Sequence, residues 1–219
     1  MLSSQNMLAL INDVLDMNKI ESGVIEVHEK NGDIIKLIED IEILIRNRCE
    51  ENQQIFVIDC ERITHRYLRM DELRVRQIII NLLSNAVKYT PAFGRISIEV
   101  FEQAGNTDSQ CYIIFIIRDN GIGMSDEFVK RAFEPFEREN TDLSVRVEGT
   151  GLGMAIIKNL VDLMKGQIKI DSMVNVGTKV TVRFPFIICE ESQIVSDSDN
   201  LKIYNKYPGK RILIVEDKY

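Results

Sequence analysis

Tryptophan is absent from the 219 residues, and proline (four) and histidine (two) are scarce. The four cysteines, at positions 49, 60, 111 and 189, form no CxxC pair. That spacing argues against a zinc site or a redox dithiol and fits a reducing cytosol. The longest apolar run, Cys111 to Ile117, falls far short of the ~20 residues that a membrane span requires. The N-terminus lacks a basic region followed by a signal-peptide core. Positive charge is also in deficit, with 27 Lys and Arg against 34 Asp and Glu, a net charge of −7 and a pI near 5.0. A general nucleic-acid binder needs a basic stripe to neutralise phosphates, and none is present. What remains is a chain 45% apolar, long enough for one or two domains with an ordinary core.

The most informative stretch is Asp71 to Thr90, DELRVRQIIINLLSNAVKYT, an apolar helix with one polar row: Arg74, Gln77, Asn81, Asn85 and Lys88. Spacings of three and four put all five on one face. A solvated face favours Glu and Lys, whereas Asn is a poor helix former and needs another reason to occur twice, one turn apart. An amide oxygen is a neutral, hard donor suited to Mg²⁺, and Lys88 lies one turn on, within reach of phosphates. The helix therefore reads as one wall of a nucleotide pocket. The competing reading is a core helix whose amides cap neighbouring loops.

Two glycine motifs decide between these readings. Asp119-Asn120-Gly121-Ile122-Gly123-Met124 follows an apolar strand, and Gly149-Thr150-Gly151-Leu152-Gly153 opens into the helical run MAIIKNLVDLMK. In the second, free backbone N–H groups and the positive end of a helix converge, which makes a phosphate cradle. With the helix above and Phe133-Glu134-Pro135-Phe136, the order of boxes resembles that of the sensor histidine kinases over roughly residues 1 to 188. The resemblance implies ATP and Mg²⁺ as ligands, with Asn85 and Asn81 as metal donors and Lys88 and Tyr89 beside them. It implies that Asp119 accepts a hydrogen bond from the adenine amino group, with Gly121, Gly123 and Met124 close to the base. Glu137 to Glu148, almost without apolar residues, resembles the family's ATP lid, in which Arg138 and Arg146 are candidate phosphate contacts; glycine is frequent in the family where Glu148 stands. Phe136, Gly149, Thr150, Gly151, Leu152, Gly153 and Thr178 complete the expected nucleotide-binding set.

Along the chain, Met7, Leu10, Val14 and Met17 have coiled-coil spacing. Residues 1–23 resemble the C-terminal half of helix two of the family's dimerisation hairpin. Residues 24–188 form the expected catalytic ATP-binding domain. Within it, Val24 to Val27 reads as a short strand, and Asn31 or Asp33 as the cap of a helix running to about Asn52. Strands are expected at Gln54 to Cys60 and near Ile63 to Arg69, then as hairpins at Arg95 to Glu102 with Gln110 to Arg118 and at Gln167 to Asp171 with Thr178 to Phe186. The run CYIIFII lacks polar alternation and predicts a central strand buried on both faces. Residues 189–209 form an acidic linker. Residues 210–219, KRILIVEDKY, resemble the first strand of a response-regulator receiver domain, whose acid pair helps to bind Mg²⁺.

The expected fold is a two-layer α/β sandwich, a mixed sheet with helices on one face; by resemblance it is the Bergerat fold. An ATP hydrolase of this fold would need a carboxylate base on the helix, typically Glu at or near the first Asn, where Asn81 and Asn85 are both amides. A pocket without that base suits phosphoryl transfer to a nucleophile brought from elsewhere. The family's phosphoacceptor is a histidine followed by an acid, with a proline four positions on. His28-Glu29 has Gly32 at that position and His65 lacks the context. The acceptor is thus expected on a dimerisation domain largely outside this chain. A cytoplasmic homodimer with a receiver partner is the expected setting, and a non-catalytic nucleotide-binding module is the rival.

Overall fold

The computed structural model describes residues 26–139 and 150–190, together with Val14, Leu15, Met17, Asn18 and Gly23. The expected dimerisation helix therefore falls mostly outside the described residues, as do most of the linker and the receiver-like strand.

Asp33 starts the first long helix, its carboxylate accepting from the N–H groups of Ile35 and Lys36. This helix, α1 (Ile34–Glu51), buries Ile34, Leu37, Ile38, Ile41, Ile45 and Cys49, a stripe at spacings of three and four. Asp71 caps α2 (Glu72–Tyr89) in the same way, and the helix ends at Thr90 before Pro91. Ser125 caps the short α3 (Asp126–Arg131). The fourth helix, α4 (Gly153–Leu163), begins one residue earlier than the sequence suggests. It stops where Lys165 adopts a positive φ and Gly166 passes so close to Arg183 and Phe184 that a Cβ would not fit.

Seven strands make one mixed sheet: β1 (Lys30–Asp33), β2 (Ile55–Arg62), β3 (Tyr67–Met70), β4 (Arg95–Ala104), β5 (Gln110–Asp119), β6 (Gln167–Met173) and β7 (Gly177–Ile188). The order is β1-β3-β7-β5-β4-β2, with β6 also paired to β7. Only β2 and β4 run parallel; the other pairs are antiparallel. The two expected hairpins are present. The short strand is at Lys30–Asp33 rather than at Val24–Val27, of which 26 and 27 lie outside any strand. Its KNGD sequence has no apolar alternation, and pairing with β3 makes it a strand.

One face of the sheet carries the core. Rows run across it from Val100 to Phe115 to Val182 and from Ile98 to Ile117 to Val180, under the buried sides of α1, α2 and α4. The other face lacks a helix layer among the described residues. Here the expectation of a strand buried on both faces holds at Ile114 and needs correction at Tyr112 and Ile116 of β5, which are only half-buried. The Arg183 guanidinium lies 3.5 Å from the Tyr112 ring centroid and covers part of that face. Continuing the core rows by one step gives Ile96, Asp119 and Thr178 in register at the end of the strands. This places a carboxylate where the apolar rows run out, beside the C-terminal half of α2.

Candidate nucleotide site

A cavity of about 640 Å³ opens between α2, the residues after β5 and the start of α4. From α2 it is lined by Asn81, Ser84, Asn85, Lys88 and Tyr89. Arg74 and Gln77, from the same polar row, lie outside the lining and pair with each other at 2.9 Å. The Asn85 amide nitrogen contacts Met154 Sδ at 3.5 Å, which leaves the amide oxygen for another partner. Lys88 Nζ stands 5.1 Å from the Tyr89 ring centroid. Burial pushes the Tyr89 phenol up, partly offset by the nearby Arg138 charge. Two cations thus gather around one half-buried ring.

At the other side, Asp119, Ile122, Gly123, Met124 and Thr178 line the cavity. Asp119 Oδ1 accepts from the Gly121 N–H at 2.9 Å. Burial pushes its carboxyl above the ordinary aspartate value, and the Gly121 and Thr178 backbone N–H groups offset only part of that rise. The loop is braced throughout: the Ile122 N–H donates to Tyr89 O at 3.2 Å and the Asn175 N–H to Ile122 O at 2.7 Å. Ser172 Oγ accepts from the Met124 N–H and contacts Thr178 Oγ1, both at 2.9 Å. Gly123 has φ +66, and a Cβ there would collide with the Met173 carbonyl, so no other residue fits without moving the β6–β7 turn.

The third wall is the loop into α4. Thr150 Oγ1 accepts from the Leu152 N–H at 3.1 Å, and the Phe136 N–H donates to Gly151 O at 3.0 Å. Leu152, at the N-cap position, offers no side-chain hydrogen bond, so the first-turn N–H groups of α4 have no cap from it. Gly153 lines the cavity, and among the described residues nothing lies within 4 Å of where a Cβ would stand. Packing among the described residues therefore does not account for this glycine.

Of the residues that the sequence singles out, Asn81, Asn85, Lys88, Tyr89, Asp119, Gly123, Met124, Arg138, Thr150, Gly151, Gly153 and Thr178 border the one cavity. Three others lie differently. Leu152 is 1% exposed and belongs to the core, because its side chain turns under α4. Gly121 packs against the Tyr89 carbonyl, leaving no room for a Cβ. Phe136 is 69% exposed at φ +65, and its backbone, not its ring, meets the glycine loop at Gly151. Arg146 and Gly149 lie outside the described residues, as does most of the lid. Ser84, Ile122, Phe128, Ala132, Glu137, Glu139 and Met154 line the cavity without having been singled out as site residues. Ser84 continues the row between Asn81 and Lys88 and is visible from helical spacing; Ile122, Glu137, Glu139 and Met154 fall within stretches that the sequence marks, and Phe128 and Ala132 arrive through tertiary packing.

Residues 70–188, more than half of the chain, match the sequence profile of the histidine kinase-, DNA gyrase B-, and HSP90-like ATPases. The chain belongs to that family. Its relatives place it among the histidine kinases, whose ATP-binding catalytic domain it carries. It is 28% identical to the autoinducer 2 sensor kinase/phosphatase LuxQ of Vibrio cholerae, over 99% of this chain and 25% of that protein. It is 30% identical to the circadian input-output histidine kinase CikA of Synechococcus elongatus, over 99% of this chain and 27% of that protein. The chain thus spans about a quarter of the length of these curated relatives. The structure of full-length ShkA in complex with AMPPNP superposes with a TM-score of 0.72 at 27% identity, over 85% of this chain and 37% of that one. No helix among the described residues is long and apolar enough to cross a membrane.

Proposed function

We propose that this chain binds Mg·ATP and presents its γ-phosphoryl group to a histidine on a dimerisation domain, as the catalytic part of a two-component sensor kinase. The observation that carries this reading is the α2 wall of the cavity, whose polar groups are the Asn81 and Asn85 amides, the Ser84 and Tyr89 hydroxyls and the Lys88 ammonium. No carboxylate of α2 lines the cavity among the described residues. A base on that helix would activate water for hydrolysis, whereas amides and a lysine position phosphates and leave the attack to an outside nucleophile.

The donor set fits Mg²⁺. Asn85 and Asn81 stand one turn apart as neutral oxygen donors, and the Met154 contact occupies the Asn85 nitrogen rather than its oxygen. Bound there, the ion would neutralise the charge that develops on the phosphates. Asp119 accepts from the adenine amino group, with Thr178 beside it. Lys88 and Arg138 meet the phosphates, and the first-turn N–H groups of α4 cradle them, with Gly153 leaving room for close approach. Neither histidine lines the cavity among the described residues. His28 is exposed and its backbone N–H binds the Asp71 carboxylate at 2.9 Å, while the His65 ring is held by Glu102 at 2.6 Å.

In this reading residues 24–188 are the ATP-binding domain, which joins a dimerisation hairpin through 1–23 and a receiver domain through 189–219, in a homodimer. The four cysteines are free thiols, which suits a cytosolic location. Incubation with γ-labelled ATP tests the reading: label should appear only when a dimerisation hairpin carrying the phosphoacceptor histidine is added. Acid-labile label on His28 or His65 of the chain alone would overturn it. In the same assay Asn85→Ala should abolish transfer, and by calorimetry it should weaken Mg·ATP far more than metal-free ATP; equal losses would remove the metal role.

A further inference from the structure

Gln54 joins α1 to β2 and lies outside the cavity lining, with 8% of its surface exposed. Its side-chain Nε2 donates to two carbonyls at the end of α2, Val87 O at 2.8 Å and Thr90 O at 2.5 Å. No further helical N–H is available to carbonyls in a last turn. A third carbonyl there, Tyr89 O, is taken by the Ile122 N–H from the Asp119 loop. The end of α2 is therefore gripped from two sides, and the segment held between the Gln54 bonds is Lys88-Tyr89.

The grip carries a cost. Gln54 Oε1 and Thr90 Oγ1 are buried without a hydrogen-bond partner among the described residues, and Thr90 is 5% exposed. A methionine of similar length would fill the space with no unpaired oxygen, so an apolar side chain would serve packing alone at least as well. An amide is needed only for what its nitrogen holds. The geometry points to Gln54 as a positioning residue for the phosphate end of the site. By fixing where the last turn of α2 stands, it sets Asn85 and Lys88 against the metal-bound phosphates while touching neither. A misplacement on the order of 1 Å at such a site is enough to matter. Asp119 itself is fixed by the pairing of β5 with β4 and β7, and its loop meets the clamped turn through the Ile122–Tyr89 bond, so the adenine end of the site follows the clamp less closely than the phosphate end.

This inference rests on the Mg·ATP reading above, and calorimetry separates the two. Affinities for adenosine, for a non-hydrolysable ATP analogue and for the same analogue with Mg²⁺ are compared in the wild-type chain and in Gln54→Met, at a temperature where circular dichroism shows both folded. The expected result is a loss of about fivefold for the Mg·analogue, the worth of one hydrogen bond, with adenosine unchanged. Should Gln54→Met not fold, Gln54→Asn keeps the donor on a shorter stem and is read by the same ratio, with a smaller loss expected. Equal losses for adenosine and the Mg·analogue, or a lower melting temperature with all affinities intact, would make Gln54 merely structural and overturn the inference. A wild-type chain that gains nothing from Mg²⁺ overturns the metal reading itself, and the inference with it.

Discussion

Two carboxylates stand on the core face of the sheet at opposite ends of the same pair of strands. Glu102 of β4 is opposite Ile113, and Asp119 of β5 is opposite Ile96, six positions or about 20 Å further along the strand. The Glu102 side chain, 8% exposed, takes hydrogen bonds from the Thr64 N–H at 2.9 Å, the His65 N–H at 2.8 Å and the His65 ring at 2.6 Å. Burial alone would raise its pKa, but the bonds from His65 and Thr64 bring it below the ordinary glutamate value. Among the described residues Asp119 has only backbone donors, from Gly121 and Thr178, and burial keeps its pKa raised. A satisfied carboxylate closes the end of a core. One left short of donors beside a cavity has acceptor capacity for a ligand.

The largest effect should come from breaking the satisfied end. Glu102→Ala leaves the Thr64 and His65 N–H groups without their acceptor and frees the β2–β3 connection from β4. Denaturant unfolding should show a loss of about 3 kcal/mol at neutral pH, with the affinity for ATP unchanged in the remaining folded protein. A loss of affinity larger than the loss of stability would show that the two ends are coupled and would undo the contrast.

How much of this could be read from the sequence follows the same division. Asn81, Asn85 and Lys88 repeat at helical spacing, and Asp119 follows an apolar run before a glycine turn, so local pattern marks them as candidates and the glycine motifs further along decide how they are read. The cap at Asp33, the stop at Pro91 and both hairpins are equally local. The strand Lys30–Asp33 was hidden because KNGD carries no alternation; its partner Tyr67–Met70 supplies the reason for it. Phe136, expected in the nucleotide-binding set, meets Gly151 with its backbone at φ +65 while its ring is exposed, a geometry that the residue type does not reveal. Glu102 and His65 carry no local signal as a pair. They are 37 residues apart, and only the sheet register brings them together. The same holds for Gln54, which reaches Val87 and Thr90 across more than 30 residues.

At the unsatisfied end the expected effect is on recognition rather than on folding. Asp119→Ala removes a buried charge that is incompletely paired, so stability should change by less than for Glu102→Ala. The adenine amino group would lose its acceptor, at ~1–3 kcal/mol of binding. Discrimination of ATP over GTP, measured by competition, should fall by a corresponding factor. Unchanged selectivity would remove Asp119 from the adenine site.

The smallest effect, and the sharpest test of the contrast, is the response to pH, because the two shifts have opposite signs. Glu102 is depressed, so its contribution to stability is present above the ordinary glutamate value and is lost as pH falls through its lower folded value. Asp119 is raised, so folding favours its protonated form: its contribution is full below the ordinary aspartate value and is lost as pH rises through the higher folded value. In the proposed site, the ionised form that costs stability is the one that would accept from adenine. Acidification from neutrality should therefore weaken ATP binding first, as Asp119 takes up its proton, while Glu102 still supports the fold. Unfolding should follow only at lower pH. Calorimetric titration at stepwise lower pH, beside thermal melts at the same values, would separate the two transitions. In Asp119→Asn, whose amide oxygen accepts without titrating, the early fall in affinity should be absent while the acid limb of stability stays in place. If that variant keeps the wild-type pH dependence of binding, the titrating group lies elsewhere and the two carboxylates do not differ in the way their hydrogen bonds imply.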